Sequence, residues 1–294
     1  MPDVKEHYDA VAAGYSDQYQ RDLIFSRDEY PANFFRLQLL VNSFAEKGIK
    51  RVFEVGVGEG TPLSTLARAG IDVSGFDISP QMVAACKETL KKANLDPERV
   101  FEADIREPTS YAQAFRNGQF DAVIAMGVMP HVENDDAVLD NISTLVKPGG
   151  TVFIEFRNKI FSLFTFNRYT MEFILDDLLA GVSAEIKNRV RKELEPRLRM
   201  DLPPIREKVE GGEAAGYDAI LSRFHNPFEM PELFRRHGFR DVRTLWYHYH
   251  PAMPLVEREM PAAFRSEGIK LEREASGWRG IFLCSAFVIE AVKI

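Results

Sequence analysis

The chain has 294 residues, of which 45% are hydrophobic, and a formal net charge of -7. It exceeds the usual domain length of roughly 100–200 residues, so one large α/β domain with an insertion, or a domain and a half, is expected, with enough apolar residues for a sizeable core. The acidic balance argues against a generic nucleic-acid binder, which draws its affinity from a basic surface, and no apolar run reaches the roughly 18 residues of a membrane span. The polar, acidic opening MPDVKEHYDAVAAGYSDQYQ is unlike a signal peptide. The two cysteines, Cys86 and Cys284, are expected as buried, reduced thiols in a cytoplasmic protein with no nucleic-acid or membrane partner.

Taken in chain order, Val4, Tyr8, Val11, Tyr15 and Tyr19 recur at helical spacing, and a second helical pattern runs from Phe34 to Phe44. From there the pattern alternates. RVFEV (51–55) is a predicted strand, followed by a glycine loop and a helix over TPLSTLARA. IDVSGFD (71–77) is the next strand. The helix after it has Ser79 as N-cap and Pro80 at its first position. RVFEAD (99–104) and FDAVIAM (120–126) are strands three and four. A helix capped by Asn134 and ended by Pro148-Gly149-Gly150 leads into strand TVFIEF (151–156). Strands alternating with helices imply βαβ units and a parallel sheet.

Residues 158–225 contain no convincing strand and read as a helical insertion, expected to form a substrate lid. The sheet pattern then resumes with a helix over MPELFRRHGF and strands over DVRTLWYHYH (241–250) and GIFLCSAFVIEA (280–291). The expected division is therefore 1–157, 158–225 and 226–294.

The stretch FEVGVGEGTP (53–62) carries the chemistry. Its glycines stand at the first strand-to-helix turn, where backbone N–H groups and a helix N-terminus can meet a ligand. Asp77, at the end of the second strand, suits the two hydroxyls of a ribose. NAD and S-adenosylmethionine (SAM) both satisfy these features. Three details separate them. Counted from Gly56, the last fingerprint position is Thr61 rather than glycine. A second acid, Asp104, ends the third strand. No Lys or Arg lies in residues 52–67 to meet a pyrophosphate, whereas a sulfonium cofactor favours acids.

The ordered set VFEVGVGEG, FDISPQMV, EADI, FDAVIAMGVMPHV and LVKPGG resembles the class I SAM-dependent methyltransferases over residues 50–157. The resemblance implies a Rossmann-like three-layer sandwich with a mostly parallel seven-stranded sheet, SAM as cofactor and S-adenosylhomocysteine (SAH) as product. It assigns Gly56, Gly58 and Gly60 to the methionine part of SAM, with Glu54 supporting that loop or meeting the amino group. Asp77 would bind the ribose, Ile78 and Met82 would flank the adenine, and Asp104 and Ile105 would hold the adenine edge. Met126 and Gly127 would line the methionine side, and Tyr15 would close over the cofactor. Tyr8 is assigned to helix packing in preference to cofactor contact.

The acceptor is expected to be a small molecule, methylated at a hydroxyl such as that of a sugar or secondary metabolite. The alternatives are N-methylation of a small amine, a non-catalytic SAM-binding regulator, and an NAD-linked dehydrogenase. His131, after the fourth strand, and His225, where the insertion returns to the sheet, are the candidate bases. Arg157, Asn158, Phe161 and His248 are the candidate acceptor contacts. His248 and His250 share one strand face, but no third ligand accompanies them, so no metal site is assigned. Oligomeric state is not legible.

Overall fold

A computed structural model describes residues 4–12, 19, 32–198 and 205–294. Tyr15 lies outside them. The chain opens with α1 (Val4–Val11) and α2 (Ala32–Lys47). There follow β1 (Arg51–Val55), α3 (Thr61–Arg68), β2 (Asp72–Asp77), α4 (Pro80–Lys92), β3 (Val100–Glu102), β4 (Phe120–Ala125), α5 (Asp135–Leu145) and β5 (Val146–Arg157). The insertion carries α6 (Ser162–Thr165), α7 (Arg168–Glu172), a π-helix over Phe173–Leu178 and α8 (Ala184–Leu194). The chain closes with α9 (Met230–Arg236), β6 (Phe239–Tyr249), α10 (Leu255–Glu259), α11 (Pro261–Leu271), α12 (Gly280–Leu283) and β7 (Cys284–Lys293).

All seven strands form one sheet in the order β3-β2-β1-β4-β5-β7-β6. The sheet is mixed: β7 runs antiparallel to both neighbours, β5 and β6, and the other pairs are parallel. The strands are apolar on both faces because both faces are covered. Val123 and Ala125 of β4 face one core with Val138, Leu139 and Ile142 of α5 and Leu233 and Phe234 of α9. Ala122 and Ile124 face the other, with Leu40 and Phe44 of α2, Leu63 and Leu66 of α3, and Cys86 and Leu90 of α4. Helix, sheet and helix make the three expected layers. The two cysteines are buried and free.

Ser79 and Asn134 cap their helices as expected, accepting hydrogen bonds from the N–H groups of Met82 and Ala137. Two boundaries differ from expectation. β5 begins at Val146, so Pro148-Gly149-Gly150 lies inside the strand; Val146 already pairs with Phe120, and the register shifts beyond it. Residues 280–283 form a helical turn before β7, where Asn158 Nδ2 donates to the carbonyls of Ile281 and Cys284.

The helices of the insertion have a small core of their own, Met171, Leu175 and Leu198. Among the described residues, no helix is long and apolar enough to cross a membrane.

Candidate cofactor and acceptor site

A cavity of about 420 Å³ opens at the carboxyl ends of β1, β2 and β4, within the range of roughly 300–1,000 Å³ common for small-molecule sites. The glycine loop forms its floor. Gly56, Gly58 and Gly60 all have positive φ, at 78°, 54° and 89°. Gly60 is also the N-cap of α3, and a Cβ there would stand 2.5 Å from Cys86 Sγ. The loop therefore lies directly against α4, which a side chain at that position would prevent.

Asp77 ties this loop to β2. Its Oδ2 accepts from Gly58 N–H at 2.9 Å and its Oδ1 from Ser79 N–H at 2.9 Å. Burial raises its pKa, against the lowering effect of these backbone bonds. Each oxygen keeps a lone pair, and Asp77 lines the cavity. Glu54 takes a different place. It is buried beneath the loop, absent from the cavity lining, and its Oε2 has no hydrogen-bond partner among the described residues. Burial holds its carboxyl well above the usual range, with the charge of Arg36 pulling the other way. Of its two expected roles, supporting the loop is the one this position suits. Gly60 likewise shapes the loop without lining the cavity.

Ile78, Met82, Ala103 and Ile105 give the cavity an apolar side beside Asp77. Asp104 lines it too, but its carboxylate is gripped by Arg106, whose Nε lies 3.0 Å from both oxygens and whose Nη2 lies 2.6 Å from Oδ2. Met126, Gly127 and Val128 continue the wall from the end of β4.

His131 stands on the 3-10 turn Met129–His131 and completes the wall. Its Nδ1 is 2.7 Å from the Leu221 carbonyl oxygen and its Nε2 is 2.9 Å from the Tyr8 hydroxyl. A carbonyl only accepts, so Nδ1 carries the hydrogen. Burial lowers the pKa to about 4, leaving the imidazole neutral, with Nε2 accepting from the Tyr8 O–H. Tyr8 itself lines the cavity. The sequence pattern placed it on the helix face but did not reveal this bond.

Helix α1 is fixed from both sides. Lys5 pairs with Glu102 at 2.9 Å, and Asp9 accepts from the Ser79 hydroxyl. His7 Nδ1 donates to the Ala215 carbonyl at 2.7 Å. The returning arm of the insertion is held by Arg223, which pairs with both oxygens of Asp135, at 2.7 and 3.0 Å, and donates to the Val132 carbonyl. Among the described residues of the insertion, Leu221, on this returning arm, is the one that lines the cavity.

The remaining assigned residues lie off the cavity wall. His225 is buried against Phe156, with Nε2 3.3 Å from Asp135. Asn158 is buried; both hydrogens of Nδ2 go to backbone carbonyls, and its Oδ1 accepts from Ile160 N–H. That is a structural role, and it leaves a ligand little to bond. Phe161 packs against His250 with tilted rings, at 4.7 Å between centroids. His248 lies 2.7 Å from the Ser285 hydroxyl through Nδ1, in a left-handed backbone conformation (φ 61°). Arg157 packs over Tyr217, with Cζ 4.3 Å from the ring centroid. Tyr217 in turn lies edge-on to His131 at 5.5 Å. Among the described residues, no group of three His, Cys, Asp or Glu side chains is placed to hold a metal ion.

The donor set suits SAM: a glycine floor without a basic residue, a carboxylate with free lone pairs, and an apolar slot beside it. Comparison with known proteins agrees. Residues 53–154 match the family described as "Methyltransferase domain". The ubiquinone biosynthesis O-methyltransferase of Acinetobacter baumannii is 29% identical over 175 residues, covering 59% of this chain and 70% of that protein. The enzyme of the same description from Methylococcus capsulatus is 28% identical over 197 residues, covering 67% and 78%. The fold matches the crystal structure of magnesium protoporphyrin IX methyltransferase from Synechocystis with bound SAH, with a TM-score of 0.53 and 15% identity, across 99% of this chain and 98% of that one. Residues 53–154 thus carry a methyltransferase domain, set in a fold shared with SAM-dependent methyltransferases, and the cofactor is SAM.

Proposed function

We propose that the protein methylates a hydroxyl group of a small molecule. The observation that carries this reading is the Tyr8–His131–Leu221 chain at the cavity wall: a neutral imidazole, fixed in one tautomer, whose basic nitrogen meets the hydroxyl of Tyr8, itself a wall residue. In this reading Gly56, Gly58 and the Met126–Gly127 turn hold the methionine part of SAM. Asp77 holds the ribose, and Ile78, Met82, Ile105 and Asp104 hold the adenine, with Arg106 yielding part of its grip. Bound SAM supplies a methyl group made electrophilic by the sulfonium.

His131 Nε2 takes the proton of the acceptor hydroxyl, directly or through Tyr8, as the oxygen attacks. The Leu221 carbonyl keeps the lone pair on Nε2. Helix α1 and the returning arm, residues 215–223, exclude water from that end. They make a more direct lid than the insertion helices do. The 28–29% identical relatives described as O-methyltransferases support oxygen as the target.

The test is SAH production and product mass with a panel of small phenols, alcohols and amines. Oxygen-methylated product is expected. Product from amines alone would move the reading to N-methylation. Tight SAM binding without any product would favour a regulator. With a working acceptor, His131→Asn should lower kcat by about 10²–10⁴, the usual contribution of a general base, with a much smaller change in SAM affinity. A normal kcat would remove His131 from the chemistry.

A further inference from the structure

One side chain away from the His131 end of the cavity, the end of β5 holds a cation with no anion among the described residues. Glu155 and Arg157 are two apart on β5 and share a face. Glu155 is taken by Arg36 of α2 in a buried ion pair, and Tyr247 of β6 hydrogen-bonds into that pair. Arg157, half-buried at the strand end, has no such partner. Its guanidinium lies over the ring of Tyr217 at 4.3 Å and reaches that of Phe224 at 5.9 Å. Among the described residues it forms neither an ion pair nor a side-chain hydrogen bond.

A guanidinium has five N–H donors in a planar fork, and ring faces satisfy its charge without filling those donors. The fork matches a carboxylate, which accepts two parallel bonds from it. Position adds the link to the site. Tyr217 is a neighbour of both Arg157 and the His131 imidazole. The charge of Arg157 is also felt at His131 and His248, where it disfavours protonation. Phe224 and Tyr217 flank the guanidinium with flat apolar surface, which suits an aromatic or unsaturated acceptor.

We infer that the methyl acceptor is a hydroxy acid whose carboxylate pairs with Arg157 beside Tyr217, while its hydroxyl faces His131. This rests on the methyl-transfer reading above and narrows its substrate class. It also gives that class a physical reason. An ammonium-bearing acceptor would meet an unpaired cation there, whereas an acid neutralises it.

Titration calorimetry on the SAH-loaded full chain tests the inference, with 3,4-dihydroxybenzoate and its neutral amide, 3,4-dihydroxybenzamide, as probes. The carboxylate should bind at least about tenfold more tightly, as charge-assisted hydrogen bonds imply. Arg157→Met should abolish that preference and leave the affinities for SAH and for the amide within about twofold of wild type, which also reports intact folding. Arg157→Lys should retain part of the preference, because it keeps the charge and loses the fork. Equal affinities for the two probes, no binding of either, or a preference that survives in Arg157→Met would overturn the inference. Failure of SAH itself to bind would instead remove the methyl-transfer reading beneath it.

Discussion

Asp77 both ties the glycine loop to β2 and lines the cavity. Its two oxygens hold the N–H groups of Gly58 and Ser79, and their outer lone pairs remain for a ribose. Asp77→Ala should weaken SAM binding by about 1–3 kcal/mol, the scale of a hydrogen bond to a charged group, with further loss if the glycine loop relaxes. Calorimetry with SAM reads this directly; an unchanged affinity would contradict the assignment. Sequence spacing was enough to put Asp77 at the cavity wall, because the end of the second strand lies beside the glycine loop. It was not enough for His225 or Asn158. Both sit in motifs near the expected site, yet one is drawn to Asp135 and the other to backbone carbonyls. Tyr8 is the reverse case. A helix-face tyrosine looks like packing until His131, 123 positions away in sequence, is brought to its hydroxyl.

At the level of elements, the site depends on how closely the glycine loop lies on β2. Gly75 of β2 is the contact. A Cβ there would overlap the Glu54 carbonyl oxygen and stand 2.5 Å from Val57 Cγ1. Gly75→Ala should therefore destabilise the protein by about 1–3 kcal/mol through overpacking and weaken SAM binding with it. Gly212→Ala, whose nearest neighbour would be the Val209 carbonyl oxygen at 3.9 Å, should stay within about 0.5 kcal/mol of wild type. Urea midpoints of the two variants decide the matter, and equal midpoints would mean the loop shifts without strain. The βαβ order was legible because strands buried on both faces leave continuous apolar runs. The insertion was legible only as helices. Charged amphipathic segments do not reveal which of them will face the cavity, and it is the returning arm, bound through Arg223 to Asp135, that does so.

For the molecule as a whole, buried histidines set the response to acid. Burial lowers His131 to about 4 and His250 to about 3, and lowers His248 well below its ordinary value. An unfolded histidine titrates near 6.5, so between that pH and the folded values the unfolded chain binds more protons. Stability should be full above pH 6.5. It should fall as pH drops toward about 4, by about 1.4 kcal/mol per pH unit for each such histidine. Other groups act in the opposite sense, the partly or fully buried carboxyls of Glu59, Asp77 and Glu172 among them, all with raised pKa. Buried Glu54, its pKa raised, becomes easier to keep as it protonates. His237 is lowered by burial but raised on balance by its bonds to Asp136 and Asp140. Its clamp between α9 and α5 is present below pH 6.5 and is lost as pH rises through its raised pKa. Thermal or urea unfolding across pH 4–8 checks the balance: a midpoint that does not fall below pH 6 would show that the imidazoles escape burial before they titrate.

What the sequence determined by itself was local and ordered. Alternating apolar strands, the glycine turn, the acids Asp77 and Asp104 and the capping residues are written at fixed short spacings, and backbone geometry converts such spacing into βαβ units and a cofactor floor. What the tertiary structure decided was every pairing across long sequence distances. It put Tyr8 on His131, gave Asp104 over to Arg106, spent Asn158 on the turn before β7, and set Arg157 beside Tyr217 with no counter-ion among the described residues. Those outcomes depend on which side chains the packed sheet brings within a few ångströms of one another, and on which of them burial strips of water. Neither can be read from spacing along one chain.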